Sequence, residues 1–132
     1  MPTPTEVFHR LLAGITGRHW LDIADLYAED AVVDIPFAIP APDRVIGRAA
    51  LRERFAAADR AGLAFAAHNV VVHETADPEV VIAEFDYAGR SAATGQEFRV
   101  ANVQVLRVRD GRIVSTRDYH NHAALAGLLN TA

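Results

Sequence analysis

Near the end of the chain Val114, Thr116, Asp118 and His120 alternate with Ile113, Ser115, Arg117 and Tyr119. In an extended segment that spacing puts Asp118 and His120 on one face. A free aspartate, with a pKa of about 3.9, accepts protons poorly at neutral pH, but burial in an apolar pocket raises it toward a useful range. Asp118 is therefore the first candidate for acid/base chemistry, with His120 beside it as second catalytic candidate. The competing reading is a carboxylate fixed by a histidine, an arginine or backbone amides at the sheet end.

Asn102 and Gln104 stand on one face of an earlier alternating run, among Phe98, Val100, Leu106 and Val108. An amide left unpaired there costs about 1–3 kcal/mol, so a ligand, a water or a backbone group is expected to meet each. Trp20 and Tyr27 lie at helical spacing as pocket wall, and Tyr27 can also donate to a bound carbonyl. Phe85 shares an inward face with Val81, Ala83 and Tyr87, while Glu84 and Asp86 point outward. Asp34, just before Ile35-Pro36, either reaches the pocket rim or caps backbone donors.

Asp118, His120 and His122 have the residue types of a facial metal site, but the chain is expected to leave the strand near Asn121, so no metal is assigned. His68 and His73, five apart, would face opposite sides of a regular strand and are read as structural. Cysteine is absent, which excludes disulfides, thiolate nucleophiles and iron–sulfur ligation. No cofactor is expected.

The elements that must hold these groups follow from periodicity. Thr3-Pro4-Thr5-Glu6 reads as a capped helix start, followed by Val7, Phe8, Leu11, Leu12 and Ile15 on one face. A second helix is predicted over about His19 to Ala28, and a third over Ala49 to Ala58. Between them lie a strand, Ala31 to Ile35, and a proline-rich loop, Pro36 to Gly47. Runs at 64–75, 79–88, 97–109 and 112–120 predict an antiparallel meander, with Asp110-Gly111 as a tight hairpin turn. His122 to Leu129 reads as a short terminal helix.

With 132 residues, 51% hydrophobic and 23% charged, the chain has the balance of one globular α+β domain spanning residues 1–132. A net charge of −4 provides no positive field for nucleic acid or anionic lipid. The absence of a long apolar run predicts a cytoplasmic protein with no membrane partner. The sheet is apolar on both faces, so a second subunit is expected to cover the outer one as a homodimer.

The stretches LYAEDAVVDIPF, VIGRAALRERF and VQVLRVRDGRIVSTRDYHN, in this order, resemble the SnoaL-like branch of the nuclear transport factor two-like superfamily. The resemblance implies a cone-shaped curved antiparallel sheet packed on three N-terminal helices, enclosing an apolar pocket. It also implies pairing into dimers. Ketosteroid isomerases of this superfamily place their base at the position of Ile35, their tyrosine at about Leu11 and their second acid at Gln104, so that constellation is missing. The polyketide cyclases carry an acid/base aspartate where GRIVSTRD puts Asp118, with Arg117 and Thr116 in place of the usual tryptophan and histidine. Limonene-type epoxide hydrolases share Arg117-Asp118-Tyr119, but their orienting Arg-x-Asp would here read Glu84-Phe85-Asp86. Phenazine-biosynthesis proteins of the fold also end in RDY-type sequences.

The resulting expectation is a small-molecule isomerase or cyclase. In it Asp118 takes a proton from carbon beside the carbonyl of a small apolar compound, and Asn102, Gln104 or His120 stabilises the enolate oxygen. The alternatives are a binding or partner protein without chemistry, and an epoxide hydrolase.

Overall fold

The structure is a computed structural model that describes residues 1–91 and 94–124. Helix α1, Pro4–Thr16, begins at the expected capping box, in which Thr3 Oγ1 accepts from the Glu6 amide at 3.2 Å and Glu6 Oε1 accepts from the Thr3 amide at 3.4 Å. It buries Val7, Phe8, Leu11 and Leu12. At Gly14 the chain comes back so closely that a Cβ there would strike the Ile23 side chain.

The predicted second helix is corrected. Only Ile23–Leu26 forms a helical turn, of the 3-10 kind, and Tyr27 already opens strand β1, Tyr27–Ile35. Trp20, Ile23, Ala24 and Tyr27 are all buried, so the inward pattern is real. A longer helix loses because Tyr27 pairs with Ile113 in the sheet and is held extended. Part of the proline-rich loop is also a strand, β2, Asp43–Ile46, because its residues follow the last proline and are free to pair with β1. Helix α2 spans Arg48–Arg60.

Strands β3 (Ala66–Glu74), β4 (Val80–Arg90), β5 (Glu97–Arg109) and β6 (Arg112–His120) form the expected antiparallel meander. The sheet as a whole is mixed, in the order β2-β1-β6-β5-β4-β3, because β1 joins β6 in parallel. It is curved, unclosed and packed against the helices, an α+β fold. Asp110 and Gly111, with φ of 52° and 76°, make the tight turn between β5 and β6.

Two irregularities change which way side chains point. The register of β5 and β6 slips between Arg107 and Val108, leaving Val114 as an extra residue, so Ile113 faces inward along with Thr116. Strict alternation had put Ile113 on the opposite side. In β3 a slip at Asn69, φ 56°, brings His68 and His73 to the same outer face, opposite Asp86 and Ile82. They were expected on opposite faces.

Phe8, Leu106 and Ile113 fill the core between α1 and the sheet. On the other face Val71 and Val103 are exposed. His122–Ala124 is helical, and the rest of the segment read as a terminal helix lies outside the described residues. Among the described residues no helix is long and apolar enough to cross a membrane.

Candidate functional site

Asp118 and Gln104 are direct cross-strand partners of β6 and β5. Gln104 Nε2 donates to Asp118 Oδ1 at 2.9 Å. Burial pushes the Asp118 carboxyl above the usual aspartate range, and the hydrogen bond from Gln104 offsets only part of that push. Thr116, the next inward residue of β6, acts in the same direction as Gln104 more weakly, although its Oγ1 makes no hydrogen bond of normal geometry. Gln104 Oε1 is likewise buried without a partner. Among the described residues no cation pairs with Asp118, so its environment favours a proton over a counter-ion.

His120 follows Asp118 on the same face and is tied to Asn102, its partner across β5. Asn102 Nδ2 donates to the carbonyls of Val100 at 3.0 Å and Phe85 at 3.3 Å, which leaves its Oδ1 as acceptor for His120 Nδ1 at 2.6 Å. The network therefore assigns the hydrogen to Nδ1 and the lone pair to Nε2. Burial, reinforced by the neighbouring His122, lowers the His120 pKa from 6.5 to about 4. At neutral pH His120 is an uncharged imidazole.

Gln104, Asp118 and His120 form one wall of a cavity of about 190 Å³. Leu11, Leu12 and Phe8 of α1 face it, with Trp20, with Tyr27 of β1, with Phe55 of α2, with Phe65 before β3, and with Phe85 and Tyr87 of β4. The rings brace one another. Trp20 lies nearly parallel to Phe55 at 6.4 Å, Phe65 stacks on Tyr87 at 4.8 Å, and Phe8 meets Phe85 at 5.5 Å. The Trp20 indole N–H donates to Leu63 O at 3.1 Å, which ties the stretch before the 3-10 turn to the chain leaving α2. Arg48 Nε donates to Tyr27 O at 2.9 Å and holds the start of β1 against α2.

Tyr27 and Tyr87 are both held protonated far above the ordinary tyrosine range, by burial first and by the Asp118 charge second. The cavity thus offers two neutral O–H groups within electrostatic reach of one carboxyl. Among the described residues lining it there is no lysine and no arginine.

Of the candidates read from the sequence, Asp118, His120, Gln104, Tyr27, Trp20 and Phe85 line this single cavity. Asn102 is buried behind His120 and orients it. Asp34 is elsewhere, paired with Arg44 Nε at 2.6 Å and outside the cavity wall. Tyr87 and Thr116 are site residues that the sequence pattern did not single out, although both sit on the inward faces that carry the others. Glu84 is exposed and bonded to His73 at 2.6 Å, and Asp86 accepts from Asn69 at 2.9 Å, so neither meets the cavity. Among the described residues no cluster of three metal-ligating side chains occurs.

The family model described as a SnoaL-like domain matches residues 8–116. The uncharacterised protein YesE of Bacillus subtilis is 31% identical over 117 residues, covering 88% of this chain and 80% of its own. The uncharacterised PhzA/B-like protein PA3332 of Pseudomonas aeruginosa is 32% identical over 113 residues, covering 85% and 77%. A crystal structure from Bacillus subtilis, provisionally named an isomerase, superposes with a TM-score of 0.84 at 27% identity, covering 98% of this chain and 94% of that one.

Proposed function

Because the chain belongs to the SnoaL-like domain family, we propose that it is a small-molecule isomerase or cyclase that moves a proton on an apolar carbonyl compound. One observation carries this reading: the Asp118 carboxyl is buried in an aromatic cavity and held by a neutral amide, and among the described residues no cation pairs with it. A carboxylate so placed is a stronger base than one in water, because protonation relieves its desolvation.

In the forward step Asp118 takes the proton from the carbon beside the carbonyl, and the electron pair of that C–H bond becomes the enolate. The hydroxyls of Tyr27 and Tyr87 donate to the developing oxyanion, which strengthens them as charge builds. Return of the same proton from Asp118 to a different carbon completes an isomerisation; attack of the enolate carbon on a second carbonyl carbon, with that proton passing from Asp118 to the alkoxide so formed, completes a ring closure. Gln104 keeps Oδ1 oriented through both steps. The chain contains no lysine, so no side-chain amine competes with this route through a Schiff base.

Proton exchange at the α-carbon tests the proposal whatever the physiological compound is. In D2O the protein should speed deuterium incorporation into small cyclic ketones, read by proton NMR. Asp118→Asn should remove at least about 100-fold of that rate, the lower end of what a placed base supplies. Equal exchange by the variant would sink the assignment of Asp118.

A second reading, a ligand-binding protein without chemistry, draws on a single observation: Asp118 is the one carboxyl among the described residues on the cavity wall. It predicts saturable binding with no exchange in either protein.

A further inference from the structure

Resting on the acid/base reading above, we infer that the cavity takes an uncharged molecule of a single ring bearing one carbonyl, and refuses both carboxylates and fused three-ring ketones. The inference follows from size, charge and the placement of polar groups.

Size comes first. The cavity measures about 190 Å³, and an apolar cavity of about 150 Å³ holds one benzene. What remains accommodates a carbonyl and one or two further atoms, not a second and third ring. Widening is resisted because the wall is built of rings that lean on one another. Moving Phe65 disturbs Tyr87 at 4.8 Å and Trp20 at 6.2 Å, and moving Trp20 disturbs Phe55 at 6.4 Å and the bond to Leu63.

Charge comes second. Among the described residues no arginine lines the cavity, and two guanidinium groups on neighbouring elements are engaged elsewhere, Arg48 on the Tyr27 carbonyl and Arg117 on the Tyr119 hydroxyl, each at 2.9 Å. His120, spent on Asn102 through Nδ1 and kept neutral, supplies no positive charge either. A ligand carboxylate would be desolvated with no counter-ion, next to a protein carboxyl, and that is strongly unfavourable. A neutral carbonyl carries no such penalty.

Placement comes third. Gln104, Asp118 and His120 sit side by side on β5 and β6, while the helical side of the cavity is hydrocarbon and ring. A ligand that matches this has its polar atom at one end and an apolar body, so a ring with one carbonyl fits and a polyhydroxylated ring does not.

The chain's one tryptophan is part of the wall, so its indole N–H gives a single reporter signal. The full chain is titrated with cyclohex-2-enone, acetophenone, benzoate and fluorenone while that signal is followed by nitrogen–proton NMR. Cyclohexenone and acetophenone should shift it saturably, benzoate should bind at least about tenfold more weakly than acetophenone, its near-isostere, and fluorenone should leave it unmoved. Benzoate or fluorenone binding as tightly as acetophenone, or none of the four binding, would overturn the inference. The same titrations on Asp118→Asn keep the two claims apart. Size ranking retained alongside unchanged deuterium exchange removes the catalytic reading alone; exchange that depends on Asp118 with no size ranking removes this inference alone.

Discussion

Asp118 and His120 are neighbours on one strand face, yet burial moves them in opposite senses, and both effects reach the folding equilibrium. The folded pKa of Asp118 lies above its unfolded value of 3.8. The folded state therefore binds the proton more tightly, and the stability it supplies is fully present below pH 3.8 and is lost as pH rises through the folded pKa. Removing the charge should help at neutral pH: Asp118→Asn is expected to raise the melting temperature at pH 7, with the gain vanishing below pH 3.8. A variant that melts lower than wild type at pH 7 contradicts this. His120 runs the other way, from 6.5 unfolded to about 4 folded, so its contribution is present above 6.5 and falls away as pH drops toward 4. The groups that face these two are Tyr27 from β1, Tyr87 from β4, Gln104 and Asn102 from β5, and Thr116 and His122 of the same segment. Replacing Gln104 by Met removes the 2.9 Å hydrogen bond to Asp118 and should move the carboxyl's titration to higher pH, read by carbon NMR of the side-chain carboxyl. Gln104 also shows where reading from the sequence stopped. Its inward position was legible from alternation, but that its amide would serve Asp118 and not a ligand depends on cross-strand register, which alternation alone does not supply.

At the scale of elements, the four meander strands were readable to within one or two residues because alternation and the Asp110-Gly111 turn agree. The 3-10 turn was not, because Trp20, Ile23, Ala24 and Tyr27 satisfy helical spacing whether the chain is one helix or a short turn running into a strand. The bulge at Val114 was invisible for a related reason: an extra residue reverses parity without changing composition. Its effect is functional, since it lets Ile113 and Thr116 seal the core while Asp118 and His120 still face the cavity. Gly14 is a second element-level device, the point where α1 admits Ile23. Gly14→Ala gains about 1 kcal/mol of helix propensity but forces the Ile23 side chain aside, an overpacking that costs typically about 1–3 kcal/mol. Net destabilisation is expected in urea unfolding, and a more stable variant would show that the 3-10 segment yields freely. At the hairpin, Gly111 at φ 76° should lose roughly 1 kcal/mol or more on replacement by Ala, from the same measurement.

For the whole molecule, the outer sheet face sets Val71 and Val103 in the open next to the half-buried Ile82 and Val105. Their charged neighbours are already engaged within the chain, Glu84 with His73 and Asp86 with Asn69. We propose that a second copy covers this face; sedimentation should then give twice the 14.3 kDa of one chain, and Val103→Asp should return it to one. A wild-type protein that sediments as a single chain at micromolar concentration excludes the pairing. The parallel contact of β1 with β6 bears on the route to the folded state. More than half of the sequence lies between Val33 and its partner Thr116, so the loop that this pairing closes is among the longest the chain can form, and such contacts form late and slowly. The meander and the helices can gather earlier, but the wall that carries Asp118 is joined to the wall that carries Tyr27 only at that last step. During synthesis, the ring-lined hollow must stand open toward water until the final strand has left the ribosome, which makes the interval before β6 docks the time of greatest exposure to aggregation.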